Sequence, residues 1–179
     1  MKYIISAVLL LLIYSCVKDA TFDENGFFGE GQAKLNGNDW KGKTGVFKSR
    51  KYCTPDTCIG ILIYKYNEFG ELRGKILIDY VSLKIGKFQL NPIEPFYLDT
   101  FNRISYCEFT SDGDVVTGTY ILKNPKPDYY IEITELNKQN GDIRGSFRAQ
   151  VVRDTSFIGK FPDTINIEDG SFYGRINWR

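Results

Sequence analysis

The chain has 179 residues, with 23 Lys and Arg against 22 Asp and Glu, so no strong basic field exists to attract nucleic acid. It contains no histidine, which excludes a Ser-His-Asp triad, a Cys-His pair and a histidine-based metal site. Any catalysis would rest on carboxylates, Tyr, Lys or a metal held by oxygen.

Met1-Lys2 gives a short positive start, and Tyr3 to Tyr14 is almost entirely apolar before Ser15 and Cys16. That order is an export signal, too short for the roughly 20 apolar residues of a membrane-spanning helix. Ile13-Tyr14-Ser15-Cys16 resembles the lipobox of bacterial lipoproteins. The resemblance implies cleavage before Cys16, a diacylglyceryl thioether on its sulfur and an acylated amino end. Attachment to the membrane would then run through this N-terminal lipid. Residues 1–15 form the expected signal peptide, and residues 16–29 the lipidated cysteine and a polar, flexible tether. Lys18-Asp19 resembles the charged tag that sends some Bacteroidota lipoproteins to the cell surface, although a solvated linker reads the same way. The expected location is the outer membrane, lipid-anchored, on its periplasmic face or at the cell surface.

Residues 30–179 read as a single all-β domain, large enough to bury a core without staples. Alternation by two recurs along it, and no convincing helical period appears. Leu72, Gly74, Ile76, Ile78 and Tyr80 form one apolar row; Val116, Gly118, Tyr120 and Leu122 form another. Ile131 and Ile133 oppose Glu132 and Thr134. Ile143, Gly145, Phe147, Ala149 and Val151 form the cleanest row, with Arg144, Ser146, Arg148 and Gln150 facing water. Phe172, Gly174, Ile176 and Trp178 continue the period, and Ile59 to Tyr66 is apolar on both faces. Turns are expected at Asn36-Gly37, Thr54–Thr57, Asn67–Gly70, Ser111–Asp114, Asn124–Asp128, Asn140-Gly141 and Asp169-Gly170. The sum is an antiparallel meander of about nine to eleven strands. Closure into a barrel would remove its edges; a two-sheet β-sandwich is the alternative.

Cys53 and Cys58 flank the Thr54–Thr57 turn. Opposite positions on antiparallel strands lie within disulfide range, and an exported compartment permits oxidation, so a disulfide clipping this hairpin is expected. Cys107 is then a free, buried thiol on a strand from Ile104 to Phe109. Four-residue cysteine spacing without histidine argues against metal, and Asp112-Gly113-Asp114 reads as a turn before a calcium loop. Glu108, Glu132 and Glu135 lie in strands and are the carboxylates open to a glycosidase reading, but more simply point to water. No catalytic residue, metal or cofactor is assigned. Twelve tyrosines would allow sugar-stacking platforms, but no cluster stands out in sequence.

Lys34-Leu35-Asn36-Gly37-Asn38-Asp39-Trp40, just after the leader and tether, resembles a group of small Bacteroidota lipoproteins with a domain of unknown function. Ile85 to Leu90, Tyr130 to Thr134 and Gly145-Ser146-Phe147 follow the same pattern. Ile165 to Phe172 resembles their closing hairpin. The resemblance implies a compact all-β envelope lipoprotein and carries over no catalytic residue. The expected function is therefore non-enzymatic: a binding or accessory module for a partner protein or a glycan. The alternatives are a lipocalin-like carrier of a small apolar ligand and a carboxylate-based glycan hydrolase.

Overall fold

The computed structural model describes residues 26–49, 57–93, 101–156 and 162–177. The leader, Cys16 and Cys53 lie outside the described residues, and with them the expected lipidation and the Cys53–Cys58 pairing. No helix occurs among the described residues, and ten strands do: β1 (Glu30–Leu35), β2 (Asn38–Lys48), β3 (Cys58–Tyr66), β4 (Leu72–Ser82), β5 (Gly86–Gln89), β6 (Arg103–Phe109), β7 (Val116–Ile121), β8 (Tyr130–Leu136), β9 (Asp142–Ser156) and β10 (Thr164–Asn177).

Eight of these strands close into an antiparallel barrel, in the cyclic order β1, β2, β3, β4, β6, β7, β9, β10. The fold is the barrel rather than the sandwich, and it departs from a simple meander in two places. β10 returns beside β1, and β5 leaves the sequential path to pair with β8. The long strand β9 permits the second departure. Its last residues pair with β7 and its first with β8, along the same edge. β8 and β5 therefore form a flap over the end of the barrel where β9 begins. The segment after β5 crosses that end, where the Leu90 N–H donates to the Tyr129 carbonyl (3.2 Å) and the Ile93 N–H to the Leu122 carbonyl (2.9 Å). The described chain also enters and leaves there, because Gly26 lies against Asn177.

Alternation sorts the side chains as the sequence implies. Ile143, Gly145, Phe147, Ala149 and Val151 are all buried, as are Gly74, Ile76, Ile78 and Tyr80 in β4. The interior is filled by these side chains, Tyr120 and Phe147 being among the largest that are fully enclosed. Asn36-Gly37 makes the expected hairpin turn, with φ of 50° and 81°. Positive φ at both central residues matches the twist of the flanking strands.

Asp169-Gly170 corrects the sequence reading. It is neither a turn nor part of a closing hairpin but a bulge inside the single strand β10, where the register to β9 slips between Ile167 and Gly170. The reason is parity. Ile165 and Ile167 are buried at odd numbers, while Gly170, Phe172, Gly174 and Ile176 are buried at even ones. One extra outward residue, Asp169 at φ 50°, keeps both apolar sets on the core face.

Three inward glycines share one row across the wall. Gly42 pairs with Gly31, Gly31 with Phe172, and Phe172 with Gly145. A Cβ on Gly31 would meet the Ile63 side chain at 2.6 Å, one on Gly42 the Tyr64 carbonyl oxygen at 2.4 Å, and one on Gly145 the Glu132 carbonyl oxygen at 2.2 Å. Without side chains at these points the strands bend inward, and the outer surface is creased along the row. Gly145→Ala should cost about 1–3 kcal/mol, because backbone rather than a movable side chain blocks the new methyl. Urea unfolding of both proteins, compared at equal m-value, measures this. A cost below about 0.5 kcal/mol would show that the row is not tightly packed.

Candidate functional site: a crease across the barrel wall

The glycine row forms the floor of a groove of about 650 Å³ on the outer face, running across the strands from β3 to β8. It crosses six strands in the order β3, β2, β1, β10, β9, β8. At roughly 4.8 Å per strand spacing its length is about 24 Å. Side chains that point outward beside the glycines form its walls. Lys43 pairs with both Tyr64 and Glu30, and Tyr173 pairs with Arg144 further along the same side. On the other side Lys41 pairs with Gln32 and Gln32 with Ser171, while Tyr66 stands two residues beyond Tyr64 on β3. Past Arg144 and Tyr173 the surface continues into a second depression of about 450 Å³, edged by the exposed Ile85.

The aromatic rings are held by specific contacts. Tyr64 and Tyr66 lie 6.2 Å apart between ring centroids, and Phe27 packs edge-on to Tyr64 at 5.1 Å. The Arg144 guanidinium sits 4.7 Å from the Tyr173 ring centre, where the positive group meets the negative ring face. Arg144 is also 3.3 Å from Glu135. Burial pushes the Tyr64 phenol above its usual value, so at neutral pH it keeps its proton and remains a donor. The crease thus offers flat apolar rings, hydroxyl and amide groups, and ammonium and guanidinium ions along an open track.

A second polar cluster lies inside the barrel, at the end opposite the flap. A Cβ on Gly74 would stand 3.1 Å from the Tyr106 hydroxyl and 3.3 Å from Trp40 Nε1, so these two groups are close to each other. The Tyr106 hydroxyl donates to Glu108 Oε1 at 3.4 Å. Tyr120 pairs with Arg153 across β7 and β9, and burial raises its phenol above the usual value, opposed by the Arg153 charge. Arg153 is fixed by donating from Nη2 to the Pro162 carbonyl at 3.0 Å. Burial raises the Glu108 carboxyl above its usual value, opposed by the Tyr106 hydroxyl and the Arg153 charge. This cluster seals the barrel floor, and Trp40 ties the Asn36-Gly37 hairpin to it.

The remaining sequence candidates separate. Glu108 turns inward, contrary to the expectation that it meets water, because its place in β6 falls in the row of Ile104 and Tyr106. Glu132 accepts from the Ser146 hydroxyl at 3.5 Å, and Glu135 holds Arg144; both lie outside the barrel. The three therefore share no cavity. Asp112 closes its own turn, accepting from the Thr110 hydroxyl and from the Asp114 N–H. No group of three or more His, Cys, Asp or Glu among the described residues is placed to hold a metal. Cys58 is buried at the start of β3. Cys107 is free and half-buried on the outer face of β6, rather than fully buried as expected. The groove residues were missed because Tyr64, Lys41, Gln32, Tyr173 and Arg144 are spread over five strands. Only the register brings them together.

No family model matches the chain, and neither the curated proteins nor the solved structures contain a match. The fold and the crease are therefore read from this chain's own geometry.

Because the carboxyl of Glu108 is raised on folding, the folded chain holds its proton more tightly than the unfolded one. Its contribution to stability is full below the unfolded value of about 4.5 and is lost as pH rises through the folded value. Glu108→Gln should remove this loss, so the variant gains on the parent as pH rises from about 4 to 7. Thermal unfolding across that range tests it; a constant difference would mean that Glu108 is not the titrating group.

Proposed function

We propose that this chain is a non-enzymatic glycan-binding lipoprotein of the outer envelope, holding a β-barrel on a lipid tether and engaging a saccharide chain in the transverse crease. The observation that supports it is the track of Tyr64, Tyr66 and Tyr173 beside polar side chains, on a groove open along its length. Sugar rings present apolar C–H faces and hydroxyl rims, which tyrosine rings and amide or hydroxyl groups complement together. An open track suits a chain that continues past both ends of the site, whereas small ligands favour enclosed pockets. The carrier reading gains nothing from an interior occupied by Tyr120, Phe147 and the isoleucine rows. Lipidation at Cys16 and the Cys53–Cys58 clip belong to the same proposal, resting on the lipobox resemblance and on hairpin geometry.

Binding of the full-length protein, in non-ionic detergent, to a panel of polysaccharides tests the reading. Tyr64→Ala and Tyr66→Ala should each weaken a bound polysaccharide by about twofold to tenfold, without lowering the melting temperature by more than a few degrees. Polysaccharide binding that neither change alters would move the site elsewhere, and no binding across the panel would defeat the reading. In the native host, Cys16→Ser should accumulate as an uncleaved, unlipidated precursor, seen as a mass increase of the polypeptide. Normal processing of that variant would remove the lipoprotein part of the proposal.

A further inference from the structure

Inside the barrel, at the end opposite the flap, polar atoms are buried without partners. Among the described residues seven buried side-chain nitrogen or oxygen atoms have no hydrogen-bond partner, and four of them belong to the floor cluster: Trp40 Nε1, Glu108 Oε2, the Tyr120 hydroxyl and Arg153 Nε. Trp40 is 4% exposed and Tyr120 0%, so bulk solvent does not satisfy them. An unpartnered buried polar group is costly, and native interiors keep few. Register explains why these groups face one another. Glu108 on β6 pairs with Gly74 on β4 and with Gly118 on β7, so a glycine flanks its inward side chain on each side. On the Gly74 side stand the Tyr106 hydroxyl and Trp40 Nε1, 3.1 and 3.3 Å from where a Cβ would lie. On the Gly118 side the Tyr120 hydroxyl stands 3.5 Å from the corresponding point. The bond from the Tyr106 hydroxyl to Glu108 Oε1 is long, at 3.4 Å.

The chemistry of the set defines what completes it. Indole and guanidinium N–H groups only donate, an ionised carboxylate only accepts, and a phenol does both. An anion would meet Glu108, and a cation would meet Arg153. A neutral molecule that both donates and accepts suits every member. It must also be small, because the interior above is filled by Ile76, Ile104 and their neighbours. We infer that the barrel floor is a hydration site, in which ordered water bridges Trp40 Nε1 to Glu108 on the Gly74 side and the Tyr120 hydroxyl to Glu108 Oε2 on the Gly118 side. Water meets the need for two to four polar partners at such a site. β2, which carries Trp40, and β7, which carries Tyr120, lie on opposite sides of the ring. The bridged network therefore braces the barrel across its interior, at a level where the side chains are polar.

Two measurements on the full-length protein in non-ionic detergent test this. A crystal structure that shows ordered solvent should place single-atom density about 2.7–3.2 Å from both Trp40 Nε1 and a Glu108 oxygen, and again between the Tyr120 hydroxyl and Glu108 Oε2. Water-oxygen magnetic relaxation dispersion, which counts long-lived internal waters in solution, should then lose at least one in Gly74→Ala, whose methyl takes the space beside Trp40 Nε1. Tyr120→Phe keeps the ring, removes the hydroxyl and should lose water on the Gly118 side, whether or not Gly74→Ala folds. Direct bonds from Trp40 Nε1 and the Tyr120 hydroxyl to Glu108, with no density between them, would overturn the inference. So would an unchanged count of long-lived waters in both variants. Density too large for water, shaped as an organic molecule, would overturn the assignment to water.

Discussion

Closure of the barrel depends on β1, a strand of six residues that is hydrogen-bonded along both edges. It lies between β2 and β10 and pairs antiparallel with each. Without it those two strands touch only at one end, through the short parallel pairing of Ile176 with Val46 and Asn177 with Phe47. Parallel contact between the first long strand and the last would leave much of two edges unpaired, and unpaired edges invite pairing with other chains. β1 is thus the keystone of an even-numbered, wholly antiparallel ring. Ala33 on its inner face and the hairpin at Asn36-Gly37 hold it in register against the Trp40 end of the core.

The same strand carries the centre of the surface crease. Gly31 faces Ile63 on one side of the wall and forms part of the groove floor on the other. Interior packing and exterior shape are therefore one variable. A larger side chain at Gly31, Gly42 or Gly145 would push the wall outward, and the depression between Tyr64 and Tyr173 would become shallower. In many barrels a ligand enters through an open end, between loops. Here one end is covered by the β5–β8 flap and the other is filled by the cluster around Glu108 and Arg153, which is why the proposed binding surface lies on the wall itself.

Much of the fold was legible in the sequence, because alternation by two is a direct record of which face meets the core. The rows in β4, β8 and β9 fell where the spacing of Ile76, Ile131 and Phe147 put them, while the number of strands and the cost of edges left both a barrel and a two-sheet sandwich open, and only the pairing of β10 with β1 decides for the barrel. Two features were not legible. The bulge at Asp169 looks like a turn because Asp-Gly is common in turns, and only the change of parity between Ile167 and Gly170 distinguishes the two. The crease was hidden more deeply. Tyr64 and Tyr173 are 109 positions apart, and their place on one groove depends on β10 returning to β1, which local pattern does not encode. Glu108 lies between these cases: its parity with Ile104 and Tyr106 placed it inside, against the general rule that charged strand residues face water.

The entry point of the chain gives the crease a mechanical setting. Gly26 and Asn177 meet at the flap end, and five residues beyond Gly26 the backbone reaches Gly31 on the groove floor. Tension applied along residues 26–29 enters the barrel directly through β1, parallel to its length. Both hydrogen-bonded ladders of that strand are then loaded in shear, so their bonds share the force instead of opening one after another. On the proposed glycan reading, a polymer seated in the crease would press on the same strand from outside. Force entering along residues 26–29 therefore passes first into one doubly paired strand and not into the barrel interior.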